Sequence, residues 1–476
     1  MTKQTKRNVQ YLAGLCASLG FVFTGAVLTW GSPAIPKFKS GEANIEITDA
    51  QSSWVVSLLS LGSIPGCYIG QLLIERVGRR RTICVSSVPG LVGAAIILFT
   101  KYPILMIIAR MLMGVSTGMT AMATMIYITE IADKEIRGAL GMLVQVMGNI
   151  GGLIMYGVGP FVSYTVLNSI VLSIPIVYAA ACVWIPESPY YYLKDDRMAQ
   201  AKKEFMVIKG TKDEKWADDQ LGVIRAHVRE NMENKTTFTE LMTNMKYRKT
   251  VFIVAGLKAL QYMTGASAIQ SYLEIIFRQS STVSGPHVSI IYGFVQLAAG
   301  IGATFLAGWF GRRVLLFLSC LGVAVSLTLV GIYFYLQDSI GVSQDVLASI
   351  SALPLVGILG FNILYAVGIG NLPYVLQAEL FPINVKTVAS SAATILACVL
   401  SFSVAKCYQG IKDNFGHYTV FWSFAFVAYV GVFFIYCFVP ETKGKTLEEV
   451  HDNMAEKPAE AEALREKAVN ELTDDC

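Results

Sequence analysis

Along this chain apolar residues run almost unbroken for about twenty positions at a time, and polar residues gather in clusters between the runs. A helix rises about 1.5 Å per residue, so roughly 20 apolar residues cross a bilayer core of about 30 Å. The pattern predicts spans at about 11–31, 52–74, 83–100, 104–128, 138–159, 166–185, 250–273, 288–309, 314–336, 346–371, 387–407 and 418–439. One long polar stretch interrupts the series. It opens at Pro186-Glu187-Ser188-Pro189 and continues to about Lys249, with six spans on either side. Each set of six closes alike, on Trp184-Ile185-Pro186-Glu187-Ser188-Pro189 and on Phe438-Val439-Pro440-Glu441-Thr442-Lys443-Gly444. A Pro-Glu-Ser/Thr tripeptide at both ends predicts a duplicated six-helix unit. Two independent helix exits are the plainer reading, because proline often follows a helix end. The expected organisation is an N-terminal bundle at 1–185, a cytoplasmic helical linker at 186–249, a C-terminal bundle at 250–440 and a cytoplasmic tail at 441–476.

Charge placement adds orientation. Only 15% of residues are charged, against about 25% in soluble domains, which marks a polytopic membrane protein. Arg76, Arg79, Arg80 and Arg81 follow span two, Arg312 and Arg313 follow span eight, and the long polar stretch is basic. The positive-inside rule then places both termini and the linker in the cytoplasm. The sequon Asn234-Lys235-Thr236 would face the cytosol and stay unmodified. Lys3, Lys6 and Arg7 before the first run imitate a signal peptide, but the run from Tyr11 to Trp30 is too long and many spans follow. The net charge of +4 gives no sign of nucleic-acid binding. Most of the nine cysteines sit inside apolar runs and read as small buried hydrophobes. The tail after Gly444 favours helix by propensity.

Polar residues inside spans are candidates for function. Arg110 lies within span four, and Lys258 and Glu274 within span seven. Glu274 sits near an outer end where water reaches it; Lys258 has snorkelling and pairing open to it. Gly114 and Gly118 share a face of span four, and Gly148, Gly151 and Gly152 recur in span five, suiting either tight packing or sliding faces. Pro373 interrupts span ten after Gly368 and Gly370, a feature of helices that border a transport pathway. No Gly-x-x-x-x-Gly-Lys-Ser/Thr phosphate-binding loop occurs, and no histidines are spaced as metal ligands, so neither enzyme chemistry nor a cofactor is expected.

The remaining motifs fall in a fixed order. Span two closes on Gly70-Gln71-Leu72-Leu73-Ile74-Glu75-Arg76-Val77-Gly78-Arg79-Arg80, and span four on Tyr127-Ile128-Thr129-Glu130 with Arg137-Gly138 beyond. The second half follows with Gly311-Arg312-Arg313 after span eight, then Gln377-Ala378-Glu379-Leu380-Phe381-Pro382 and Lys386 after span ten. Together with the Pro-Glu tripeptides, these residues resemble the sugar porter family of the major facilitator superfamily over nearly the whole chain. Trp30-Gly31-Ser32-Pro33-Ala34 and Gln270-Ser271-Tyr272 look like the insect facilitated trehalose transporters and their relatives.

The resemblance implies an all-α membrane protein of twelve transmembrane helices, in two pseudo-symmetric six-helix bundles with a cytoplasmic helical insert. The implied activity is facilitated transport of a neutral sugar, trehalose or a hexose, by alternating access, in the plasma membrane. Proton-coupled symport is one alternative, and a sugar sensor that transports nothing is another. In proton-coupled sugar porters the match of Arg110 faces an acid in span one; here span one has no acid. The partners are a small sugar and membrane lipid.

A sugar carries many hydroxyls, so its site must supply neutral donors and acceptors near midplane. Gln145 and Gln261 match sugar-contacting positions of the family, although a glutamine packed between helices is the plainer reading. The resemblance adds Tyr262, Ser267, Gln296 and Tyr374, with departures. Tyr262 stands for a second Gln, Ser267 and Gln296 for Asn, Tyr374 and Cys398 for Trp, and Ala366 for Glu; three of these exchanges shrink a side chain. Arg79, Arg80, Glu130, Arg137, Glu187, Arg312, Arg313, Glu379, Lys386 and Glu441 fall at cytoplasmic span ends. As a network at the seam of the halves they would form in only one state and bias the equilibrium. As topology signals they would only orient the chain. Gly308 and Trp309 replace the family's acid and base ahead of Gly311, so the second latch is expected to be the weaker.

Overall fold

The computed structural model describes residues 7–133, 135–233, 241, 243, 245–279, 284–381 and 383–442. The sequon at 234–236, the tail after 442 and the side chain of Lys386 lie outside the described residues. Among those described there are helices and no strands, and 12 helical segments are long and apolar enough to cross a membrane.

The first half comprises α1 (Asn8–Thr29), α2 (Gly31–Lys39), α3 (Asp49–Arg76), α4 (Arg79–Phe99), α5 (Pro103–Ile131), α6 (Arg137–Val158) and α7 (Tyr164–Cys182). Three short helices follow: α8 (Pro189–Lys194), α9 (Met198–Lys209) and α10 (Glu214–Glu233). The second half comprises α11 (Met245–Met263), α12 (Ala266–Gln279), α13 (Gly285–Trp309), α14 (Arg312–Tyr335), α15 (Gln344–Ser349), α16 (Ala352–Val367), α17 (Leu372–Leu380), α18 (Ile383–Phe415) and α19 (His417–Phe438). Each half encloses its own apolar core, one around Phe23, Met113 and Tyr178, the other around Tyr272, Phe334 and Phe421. The short helices bury a third, smaller cluster around Phe205 and Leu221.

Several spans are longer than the apolar runs alone predict. The first extends through α2 to Lys39, because Lys37 donates to the Val162 carbonyl at 2.6 Å and to Glu42, so its charge is satisfied while the helix continues. The eleventh, predicted to end at 407, continues to Phe415, and its Lys406 ammonium lies 4.2 Å from the Trp54 ring centroid and donates to Ser53 at 2.7 Å. A lysine ends an apolar run in sequence without ending a helix when its stem is apolar and its head finds acceptors.

The glycines of span four serve tight packing. A Cβ at Gly114 would strike the Leu59 carbonyl, and one at Gly118 the Ser63 carbonyl, so α3 and α5 touch backbone to backbone inside one half. Gly151 meets Val22 of α1 in the same way, again within the first half.

Between the halves, α2 packs on α12, α3 on α18 and α6 on α13. Ser60 and Ser401 hydroxyls are 2.9 Å apart, Tyr156 donates to the Gln270 carbonyl at 2.9 Å, and the Glu274 N–H reaches Ser32 at 3.2 Å. These bonds lie from mid-span toward the end opposite the Arg pairs. Among the described residues, no ion pair joins the Arg-rich end of one half to that of the other.

Candidate functional site

The Arg-rich end of each half is closed by the same construction. Glu187 accepts the N–H groups of Arg79 (2.8 Å) and Arg80 (3.0 Å), donors at the start of α4 that have no carbonyl within the helix. Glu441 does so for Arg312 (2.9 Å) and Arg313 (3.1 Å) at the start of α14. The glycine before each pair leaves room for that carboxylate: a Cβ on Gly78, at φ +105, would come within 2.6 Å of Glu187 Oε2. The guanidinium then turns to a second acid. Arg79 grips Glu130 through two bonds of 2.8 and 2.9 Å, and Arg312 reaches Glu379 at 3.3 Å. The hydroxyl after each Pro-Glu completes the ring: Ser188 donates to Glu130, and Thr442 to Glu379. The repeated tripeptide therefore acts through all three positions. Its proline ends the apolar span, its glutamate caps a helix, and its hydroxyl fixes the neighbouring acid.

These networks lie within each half. The expectation of a network across the seam is not what this conformation contains, because the halves are joined at their other end. The first clasp is also the tighter. Side chains of Arg79 and Glu130 are 10% and 13% exposed, those of Arg312 and Glu379 23% and 32%, and the Arg312 Nε is buried without a partner. Arg80 also donates to the Ile185 carbonyl at 3.3 Å, Arg313 to Tyr436, and Arg137 to the Ala132 carbonyl at 3.4 Å.

Asp133, between α5 and α6, ties the short helices to this end. Lys209 of α9 donates to it, as does Gln10 of α1 at 3.1 Å, and Arg7 lies 3.8 Å away. Burial pushes its carboxyl up, but the bonds from Lys209 and Gln10 outweigh that and hold it below its ordinary value.

Two helix breaks meet near mid-span in the second half. Span seven breaks at Thr264-Gly265, where Gly265 has φ +85, and span ten between α16 and α17 at Gly368–Asn371. Gln261 bridges them. Its amide donates to the Gly370 carbonyl at 2.7 Å, its backbone carbonyl accepts from Tyr365 at 2.9 Å, and its Oε1 accepts from Lys258 at 3.2 Å. Tyr262 and Tyr374 hydroxyls sit 3.0 Å apart, and the Lys258 ammonium lies 3.2 Å from the Tyr374 ring centroid. Irregular backbone at membrane depth survives where it is wrapped in protein or borders water.

A second polar cluster joins the halves. Gln145 donates to Asn149 at 3.4 Å, and Asn149 donates to the Gln296 carbonyl at 3.4 Å. Gln145 and Tyr374 are exposed, Gln261 is buried, and Tyr262, Gln296 and Ser267 are half-buried. The Ser267 hydroxyl is buried without a hydrogen-bond partner. The sequence-predicted residues therefore fall into two clusters, Gln145 with Gln296 and Gln261 with Tyr262 and Tyr374, and Gln145 does not bond Gln261. Sequence reasoning missed three features. Asn149 lies four residues after Gln145, on the same helix face. The break at Thr264-Gly265 shows only as a small polar pair inside a span. Ser188 and Thr442 were visible within the repeated tripeptide as its third position.

Arg110 is enclosed elsewhere. It donates to the carbonyls of Val55 (2.9 Å) and Val27 (2.8 Å) and lies 5.0 Å from the Trp30 ring. Glu274 is buried, contrary to a wet outer position. Arg278 pairs with one of its oxygens at 2.8 Å, and the other has no partner.

Two six-helix halves, mirrored clasps and broken helices at mid-height define an integral membrane protein with the major facilitator fold. The chain belongs to the sugar (and other) transporter family, whose model matches residues 8–454. It is 30% identical over 452 residues to the facilitated trehalose transporter Tret1 of Drosophila willistoni, covering 94% of this chain and 51% of that one. It thus spans about half the length of that relative. The Tret1 of Polypedilum vanderplanki is 30% identical over 449 residues, with 94% and 88% covered. Among solved structures, the inward-open xylose transporter XylE from E. coli superposes with a TM-score of 0.76 at 20% identity, over 93% of this chain and 99% of that one. The proton:xylose symporter XylE bound to 6-bromo-6-deoxy-D-glucose gives 0.72 at 20%, over 93% and 98%.

Proposed function

We propose that this chain carries a neutral sugar, trehalose or a hexose, across the plasma membrane by alternating access, driven by the sugar gradient alone. The observation that carries the reading is the meeting of two broken helices around Gln261, together with the polar cluster of Gln145, Asn149 and Gln296 where α6 and α13 join the halves. There Gln145, Gln261, Tyr262, Ser267, Gln296 and Tyr374 offer amides and hydroxyls to a sugar from both halves. The relatives' name supports trehalose. The Arg-rich end faces the cytoplasm with both termini, by the distribution of Lys and Arg. The two clasps, with Lys386, form the gating elements.

Uniport is favoured over proton symport by Arg110. Its guanidinium bonds two backbone carbonyls, and α1 supplies no acid for a proton to occupy. Radiolabelled trehalose and glucose counterflow in proteoliposomes tests the reading. Exchange should proceed without a membrane potential and survive a protonophore. Sugar-evoked alkalinisation of the outer medium would overturn uniport, and no exchange of either sugar would overturn transport.

A further inference from the structure

Lys258 is 1% exposed in the middle of span seven. Its ammonium meets Gln261 Oε1 and the face of the Tyr374 ring, and among the described residues no carboxylate pairs with it. Moving an ammonium out of water without a counter-ion is costly. An aromatic face compensates only part of that cost. Arg110, the comparable cation of the first half, is held by two carbonyl oxygens and stands apart from the polar clusters. Lys258 instead sits within the cluster that the sugar reading assigns to the solute, one bond from Gln261. The ring over it belongs to Tyr374, which is 51% exposed. That ring is the cover between the ammonium and open space.

We propose that the same site admits sugars bearing a carboxylate, with Lys258 as their counter-charge once the Tyr374 ring turns aside. The ring face occupies the anion's place when no solute is bound. This rests on the sugar-carrier reading and extends it from neutral to acidic sugars. Lys258 would then set selectivity: it holds the Gln261 amide in one orientation for the hydroxyls and supplies the charge for the acid.

The test uses the full chain in proteoliposomes, with trehalose counterflow and D-glucuronate or D-glucose as competitor at neutral pH. Glucuronate should inhibit at least as well as glucose. Lys258→Met and Lys258→Gln should each raise the inhibition constant for glucuronate, relative to that for glucose, about tenfold. Lys258→Arg should keep most of the wild-type ratio. Stabilisation of the purified wild-type protein by glucuronate in a thermal melt gives a second readout that needs no transport. Inhibition by glucose with none by glucuronate overturns the proposal and leaves the carrier reading intact. An unchanged ratio in both the Met and Gln variants also overturns it. Absent counterflow with a persisting glucuronate shift overturns the carrier reading instead, and absence of both overturns both.

Discussion

At the scale of single residues, the structure separates groups that the sequence presents as equals. Gln145 is exposed and bonds only Asn149, whereas Gln261 is buried and already engaged by Gly370 and Lys258. Replacing either with Ala should cost about 1–3 kcal/mol of sugar binding, or roughly tenfold to a hundredfold in affinity. Gln261→Ala should also lower the melting temperature, because the Gly370 carbonyl loses its donor, while Gln145→Ala should not. Calorimetry on purified variants reads both quantities; unaltered sugar affinity in both would remove them from the site. The two clasps should differ too. Glu130→Gln breaks a two-bond pair that is largely buried and should cost about 3 kcal/mol, whereas Glu379→Gln breaks a longer, wetter one worth about 1 kcal/mol. Equal losses on thermal melting would contradict the geometry. Residues fixed by motif order were legible in the sequence, Arg79 with Glu130 among them. Their pairings were not, because a pattern of charges gives positions along the chain and not which of them meet in the fold.

At the scale of elements, helices were legible wherever an apolar run met a polar boundary. Span one was read too short because Lys37 hides its charge on a carbonyl and a carboxylate, whereas span eleven, read to 407 with Lys406 inside it, runs on to Phe415. The break in span seven was hidden because Gly265 interrupts a helix by its backbone angle without interrupting hydrophobicity. The docking of α9 makes a prediction about pH. The Asp133 carboxyl is held below its ordinary value of 3.8, so its ionised form stabilises docking. That contribution is complete at neutral pH, fades below about 3.8 and is lost as pH falls through the lower folded value. Asp133→Asn should reproduce the loss at pH 7, at about 1 kcal/mol for a partly exposed cluster. Trypsin should then cut faster at Lys202, Lys203 and Lys209. Cleavage at the parent rate would mean that apolar packing alone seats α9.

At the scale of the whole molecule, the halves are held together from mid-span to one end and apart at their Arg-rich ends. Ser60 and Ser401 mark the joined seam near mid-span, with hydroxyls 2.9 Å apart. In a background cleared of accessible native cysteines, Ser60→Cys with Ser401→Cys should form a disulfide on mild oxidation. Sugar exchange should stop and return on reduction. Exchange that continues in the cross-linked protein would show that this seam does not need to part. The duplication itself was legible from two tripeptides, but the state of the molecule was not, since the motifs of both halves are present whichever ends of the halves meet.

The clasps also bear on how the protein is made. Glu187 caps a helix that begins 108 positions earlier, and Glu441 caps one that begins 129 positions earlier. A chain leaving the ribosome therefore delivers the closing piece of each half last. Until residue 187 emerges, the start of α4 keeps bare N–H groups and Arg79 lacks the hydroxyl that steadies its acid. Once it and Ser188 emerge, the first six spans have their clasp complete before the seventh span has been synthesised. Each half is buttoned from its own last span, so the first can mature without waiting for the second.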